Sequence, residues 1–279
     1  MTLTLTPDEI EALRTRLEER GFEFRSLAYA HFQARAPGIV VSAYKSGKVV
    51  VQGALAAGIL GEVPAPKLAG AVVGSDESGK GDYFGPLVVA AVVARPGQEE
   101  ELRLAGVRDS KEMSDGSILR AAVAVRRFPH AIRILMPVEY NARHDAEKNV
   151  ALFLATLHAE AIAGALRKAP AARVVIDQFT FASRLEEALH RQGVRLPVEI
   201  RPRAEDNPAV AAASVLARAE FLLGLKELGN EHGVELPKGA GPPVEAVARR
   251  IFSEGGRGAL AAVSKIHFKT TLKVTGSLF

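Results

Sequence analysis

The chain contains no cysteine, which excludes disulfides, thiolate zinc sites and cysteine nucleophiles together. No apolar run approaches the ~20 residues of a membrane span, because Gly, Arg or Pro interrupts the Ala/Val stretches. No membrane partner is therefore expected. The start, Met1 to Gly21, has no basic segment followed by an apolar core, so no secretory signal is expected and the expected compartment is the cytoplasm. A dominant basic tail is missing as well. The net charge of +4 comes from 36 Lys+Arg against 32 Asp+Glu, and residues 1–70 hold 8 and 7 of these. Any surface for a polyanion must then be a folded patch. The seven histidines form no HxH or HExxH pair. Low-complexity segments and internal repeats are absent too.

What remains is 279 residues of ordinary globular proportions, 48% hydrophobic and 24% charged. Thr6-Pro7-Asp8-Glu9 reads as a helix start, Ile10, Leu13 and Leu17 recur at helical spacing, and Gly21 closes the helix. Alternating, aromatic-rich segments at 27–32, 39–44 and 49–51 follow, with Ser46-Gly47 as a hairpin turn. This predicts one helix on a small antiparallel sheet, an α+β unit over 1–66. The Pro-rich stretch 61–67 is the expected connector. Beyond it, strands are predicted at 69–73, 87–94, 131–138, 173–177 and 198–201, and helices at 147–168, 183–192, 208–229 and 244–254. That order predicts a second unit over 67–279, of α/β class, with a mixed sheet.

The densest chemistry is Gly74-Ser75-Asp76-Glu77-Ser78-Gly79-Lys80-Gly81-Asp82-Tyr83-Phe84-Gly85-Pro86. Gly74, four residues, then Gly79-Lys80 matches most of a phosphate-binding P-loop. The match fails at Gly81, where the magnesium-binding hydroxyl belongs, and the following 87–94 reads as a strand where a helix is needed. The other reading makes the carboxylates the point. Asp76 and Glu77 end a buried strand, and both can serve one centre if Gly74 and Gly79 bend the chain. A turn with solvated acids is the plain alternative. Asp177 ends the strand 173–177, where open α/β sheets place their ligands. Glu205 precedes a helix, and either an N-terminal acid favoured by the helix dipole or a ligand fits it. Gathered together, four carboxylates repel each other; two divalent cations relieve this and bind phosphate oxygens, which is two-metal phosphodiester chemistry.

The loop resembles the opening motif of the type 2 ribonucleases H, in their HIII branch. The resemblance continues through Gly106-Val107-Arg108-Asp109-Ser110-Lys111, Pro137-Val138-Glu139-Tyr140-Asn141, Ile176-Asp177-Gln178-Phe179 and Arg203-Ala204-Glu205. It runs on through Val210 to Arg218 and Lys265-Ile266-His267-Phe268-Lys269, while Tyr44 to Gly53 resembles a TATA-box-binding-protein-like domain. Gln178-Phe179, Glu205 and the N-terminal unit favour HIII over HII.

The resemblance implies an RNase H-like mixed sheet flanked by helices and hydrolysis of the RNA strand of RNA/DNA hybrids. The products would carry 5′-phosphate and 3′-hydroxyl ends. It implies Mg²⁺ as cofactor, with Mn²⁺ as the alternative; a monomer is expected. By position the catalytic and metal-binding acids are Asp76, Glu77, Asp177 and Glu205. Substrate contacts fall to the backbone of Gly79, Lys80 and Gly81 at a ribose, and to Ser110 and Lys111 at a phosphate. Lys80 stands where other members carry Arg or Thr, and Arg203 where Lys is common. Residues 211–213 read as close packing. His267 lies in a Lys-rich, strand-like segment and reads as structural. Tyr29, Phe32 and Tyr44 either grip nucleic acid or fill a sheet face.

Overall fold

The computed structural model describes residues 2–4, 7–53, 70–107, 110, 113–177 and 182–276. The chain forms two compact units, Met1–Lys67 and Leu68–Phe279. The connector at 61–67 lies outside the described residues.

In the first unit, β1 (Thr2–Thr4) precedes α1 (Pro7–Glu19), followed by β2 (Glu23–Arg25), β3 (Ala30–Ala36), β4 (Ile39–Tyr44) and β5 (Lys48–Gly53). The strands form one antiparallel sheet in the order β1-β5-β4-β3-β2. Ile10, Leu13 and Leu17 of α1 pack on Phe32, Ala34, Val41, Ala43, Val49 and Val51. The predicted strand at 27–32 falls instead at Ala30–Ala36, and two short strands were not anticipated. Phe32 is a core residue and not a nucleic-acid grip. On the opposite face Arg35 donates to Gln33 Oε1, and Gln33 donates to Ser42 Oγ at 3.0 Å. That face is polar and partly open.

The second unit is built on a five-stranded mixed sheet, β10-β9-β6-β7-β8. Its strands are β6 (Val72–Ser78), β7 (Leu87–Ala94), β8 (His130–Leu135), β9 (Arg173–Asp177) and β10 (Val198–Arg201). Pairs β6/β9 and β9/β10 are parallel, and β6/β7 and β7/β8 antiparallel. Helices α2 (Glu99–Leu104), α3 (Asp115–Val125), α4 (Pro137–Glu147), α5 (Val150–Leu166), α6 (Ala182–Arg191), α7 (Pro208–Glu231), α8 (Pro242–Val263) and α9 (Lys269–Thr275) flank it. All eight residues of β7 are buried. Val88, Ala90 and Val92 join a core with α3 and α7, whereas Leu87, Val89, Ala91 and Val93 join one with α5 and α6. A strand covered on both faces loses the polar alternation of a half-exposed strand.

Several boundaries differ from the sequence reading. The strand predicted at 131–138 stops at Leu135, because Pro137 opens α4 at its first turn. The helix predicted over 147–168 starts at Val150: Lys148 is left-handed (φ 50°) and Asn149 caps α5 by accepting from Ala151 N–H. The Lys-rich strand around His267 is a turn followed by α9. By length and composition α7 is apolar enough to cross a membrane, but about two-thirds of its most apolar window is buried in the core.

Candidate active site

The first predicted strand at 69–73 proves to be β6, which runs through the acids to Ser78. Its register with β7 is unbroken from Val72↔Ala94 to Ser78↔Val88, so the predicted bend at Gly74 is absent. Gly74 is glycine for another reason. A Cβ there would lie 2.3 Å from the backbone of Ala209 and Val210, so its lack of a side chain admits α7 against the strand.

Being neighbours on a regular strand, Asp76 and Glu77 face opposite ways. Asp76 turns to α7, where the Ser214 hydroxyl hydrogen-bonds it, and it accepts the Glu77 amide at 2.9 Å. Glu77 turns to α5, where His158 Nε2 contacts Oε2 at 3.3 Å. Lys80 Nζ pairs with Oε1 at 3.2 Å. Both acids still reach one cleft because the strand ends one residue later, at Ser78, and the chain turns at Gly79 with φ +88°. That glycine is required by the fold, since a Cβ would lie 2.1 Å from Pro86 O. The loop is followed by β7 and not by a helix, which disposes of the P-loop.

The cleft, of about 710 Å³, is lined by Asp76, Glu77, Asp177 and Glu205. Asp177 ends β9 and lies 3.5 Å from the Ala204 amide. Glu205 sits in the 3-10 turn Ala204–Asp206, immediately before Asn207 caps α7 by accepting from Ala209 N–H. Gly79, Lys80, Gly81 and Ser110 also line it. Ser110 Oγ is 2.8 Å from Ser214 Oγ. Lys111, Asp109, Gln178 and Phe179 lie outside the described residues.

Sequence reasoning gave no role to Ser214, Arg218, Lys238, Asp115 or His158. The first four line the cleft, where Asp115 bridges Lys238 at 2.5 Å and Arg218 at 4.0 Å. The available signal was a single serine among the alanines of α7 and a single imidazole inside the apolar α5.

The paired acids are electrostatically unlike. Burial, then the charge of Glu77, pushes Asp76 up to about 7. Burial would raise Glu77 too, but the His158 hydrogen bond and the charges of His158 and Lys80 hold it below the usual carboxylate value. Among the described residues no three His, Asp or Glu side chains gather at the spacing of one coordination shell. The donor chemistry fits: carboxylates and two hydroxyls are hard oxygen ligands of the kind Mg²⁺ and Mn²⁺ take.

The sequence matches the family described as Ribonuclease HII over residues 73–271, and a Domain of unknown function (DUF3378) over residues 1–59. It is 34% identical to Ribonuclease HIII of Protochlamydia amoebophila, over 96% of this chain and 94% of the relative. Ribonuclease HIII of Chlamydia abortus is 36% identical, over 98% and 97%. The chain belongs to the type 2 ribonuclease H family, in its HIII branch. The crystal structure of Bst-RNase HIII in complex with Mn²⁺ superposes with a TM-score of 0.70 at 31% identity, covering 99% of this chain and 97% of that one. Membership makes the chain an enzyme, an endoribonuclease of the ribonuclease H type, which acts on the RNA strand of RNA/DNA hybrids.

Proposed function

We propose that the cleft cleaves the RNA strand by two-metal-ion chemistry, leaving 5′-phosphate and 3′-hydroxyl ends. One observation carries the reading: four carboxylates from β6, β9 and the turn before α7 line a single cleft that also holds a glycine loop and basic side chains. Carboxylates alone would oppose a polyanion. Asp76 and Asp177 would hold the cations, with Glu77 and Glu205 completing their shells, and Mn²⁺ in the Bst relative supports a divalent ion. When bound, such ions lower the pKa of a water and neutralise charge at the scissile phosphate and the leaving 3′ oxygen.

The chain's own residues then supply position and selection. Lys80, Arg218 and Lys238 put positive charge on the cleft wall, where a phosphate backbone would run. Ser110 and Lys111 are assigned to a phosphate. Gly79 and Gly81 let the backbone approach a ribose 2′-hydroxyl, the group that tells RNA from DNA. Gly81 supports this assignment best, because a Cβ there would meet nothing within 4 Å and its φ is not left-handed, so the fold does not require glycine. The Met1–Lys67 unit is assigned to substrate affinity, through the open sheet face carrying Gln33 and Arg35.

The test is cleavage of labelled RNA/DNA, RNA/RNA and DNA/DNA duplexes with Mg²⁺, Mn²⁺ or EDTA. Cleavage confined to the hybrid RNA strand, abolished by EDTA, with phosphatase-sensitive 5′ ends, is the expected result. Activity in EDTA, or 5′-hydroxyl products, would refute the mechanism.

A further inference from the structure

Helix α5 is apolar through most of its length, yet carries one imidazole, His158, with no exposed surface. A fully buried histidine needs partners at its ring nitrogens. Here Nε2 faces Glu77 Oε2 at 3.3 Å and Nδ1 faces Ser75 Oγ at 2.8 Å. Ser75 and Glu77 are two apart on β6 and so share the face against α5. A carboxylate only accepts, so Nε2 carries the hydrogen and donates it. Ser75 gives its one hydroxyl hydrogen to Ala90 O at 2.8 Å, so its oxygen is left to accept from Nδ1.

The order Ser75–His158–Glu77 looks like a hydrolase triad, but the geometry excludes that use. Ser75 has no exposed surface, does not line the cleft, and has its oxygen engaged by Ala90 O and His158 Nδ1. What the chain does have is a direction: it starts in the backbone of β7 and ends on a cleft carboxylate. The other oxygen of Glu77 is held by Lys80, whose side chain is 43% exposed and screened by solvent. The rigid hold on Glu77 therefore comes from the His158 side.

We propose that His158, fixed by Ser75, is a positioning residue that sets the rotamer in which Glu77 meets a cation, and so sets the metal affinity of the site. This rests on the reading of Glu77 as a cation ligand. Carboxylate ligands depend on such outer hydrogen bonds, and their loss typically weakens metal affinity or activity by about 10–100-fold.

The experiment compares His158→Leu, His158→Gln and Ser75→Ala in the full chain, with Glu77→Gln as reference. Mn²⁺ binding to the free enzyme is measured by calorimetry, and kcat and KM with a labelled hybrid. His158→Leu should weaken Mn²⁺ binding and lower kcat by about 10-fold or more while hybrid KM stays within about twofold. His158→Gln, which keeps an N–H at similar reach, should recover most of both, and Ser75→Ala should fall between. Leu and Gln variants that are equally impaired would overturn the proposal, since packing alone explains that. Should the Leu variant not fold, wild-type Mn²⁺ affinity in Ser75→Ala beside a defective Glu77→Gln would overturn it. A fully active Glu77→Gln would instead overturn the underlying reading of the site.

Discussion

Replacing Gly74 by alanine should separate the contact between β6 and α7. The backbone of Gly74 is not left-handed, so alanine is conformationally admissible and the clash acts alone. The new Cβ would sit 2.3 Å from Ala209 C and Val210 N, and 2.7 Å from Ala209 O. These are backbone atoms, so no rotamer change relieves the contact. Restoring an ordinary distance of 3.4 Å requires about 1.1 Å of retreat by the first turn of α7. That turn is buried at Ala209, Val210, Ala212 and Ala213, all in the core beneath the sheet. Overpacking of this kind costs about 1–3 kcal/mol, and with no side-chain escape the upper figure applies. Lower unfolded-state entropy returns about 0.4–1 kcal/mol. The net loss of ~2 kcal/mol corresponds to a fall in Tm of roughly 4–8 °C for a unit of this size. Because Asp76 and Ser214 meet across the same interface, kcat should fall more than hybrid KM rises. Thermal melts and steady-state kinetics, with Gly81→Ala as a control of unchanged Tm, measure both effects. A Gly74→Ala protein that melts within 1–2 °C of wild type, a range set by the ~0.5 kcal/mol scatter of surface substitutions, would show that α7 does not bear on the strand as argued.

Asp76→Asn and Asp177→Asn should each abolish cleavage while the far-ultraviolet spectrum stays native; retained turnover with Mg²⁺ would refute their assignment. Millimolar Mn²⁺ or Mg²⁺ should raise the Tm of the free enzyme by mass action, and less so in Asp177→Asn, as read by differential scanning calorimetry. Burial, with the nearby charges of His144 and Lys265, pushes His267 down to about 4 from 6.5. Between those values the unfolded chain binds more protons, so stability is complete above pH 6.5 and is lost as pH falls toward 4. Discounted for partial exposure this is worth roughly 1–2 kcal/mol, and His267→Phe should flatten the slope of Tm against pH in that window. Deleting residues 1–66 should raise hybrid KM sharply, leave kcat nearly unchanged and make the salt dependence of binding shallower; an unchanged KM would remove substrate binding from that unit.

How much of this was legible in the sequence follows from where each signal lies. The strand Arg173–Asp177 is built on a short apolar run and Val198–Arg201 on an apolar/polar alternation, both between turn residues, and local pattern suffices to bound them. β6 was misplaced because Gly74, Ser75, Asp76 and Glu77 look like loop. Their strand conformation is stabilised by partners remote in sequence: β7, α7 and His158. α4 and α5 read as a strand end and one long helix because Lys148 in the left-handed region leaves no compositional trace. The acids stood out in the sequence at strand ends and then through motif resemblance, and their opposite orientations followed only from the unbroken register. Lys265 shows the limit most plainly. In a Lys-rich segment it looks solvated, yet it is fully buried and donates to the carbonyls of Asp82, Phe84 and Gly85 at 2.9, 3.4 and 2.6 Å.

That buried ammonium has a consequence for the order of assembly. The three carbonyls belong to the loop that follows the acids, and they precede Lys265 by 183, 181 and 180 residues. The segment before Lys265 adds Gly85 N–H to Val263 O at 3.0 Å, and Lys265 itself adds its N–H to Tyr83 O at 2.8 Å. A growing chain thus exposes all the carboxylates of the cleft before it acquires the clasp that shapes the loop beside them. Since domains fold as units during synthesis, the loop beside the acids stays unclasped until the Lys265 segment has emerged. A product released early, ending anywhere ahead of that lysine, would carry every acid of the cleft without the bonds that hold the loop beside them.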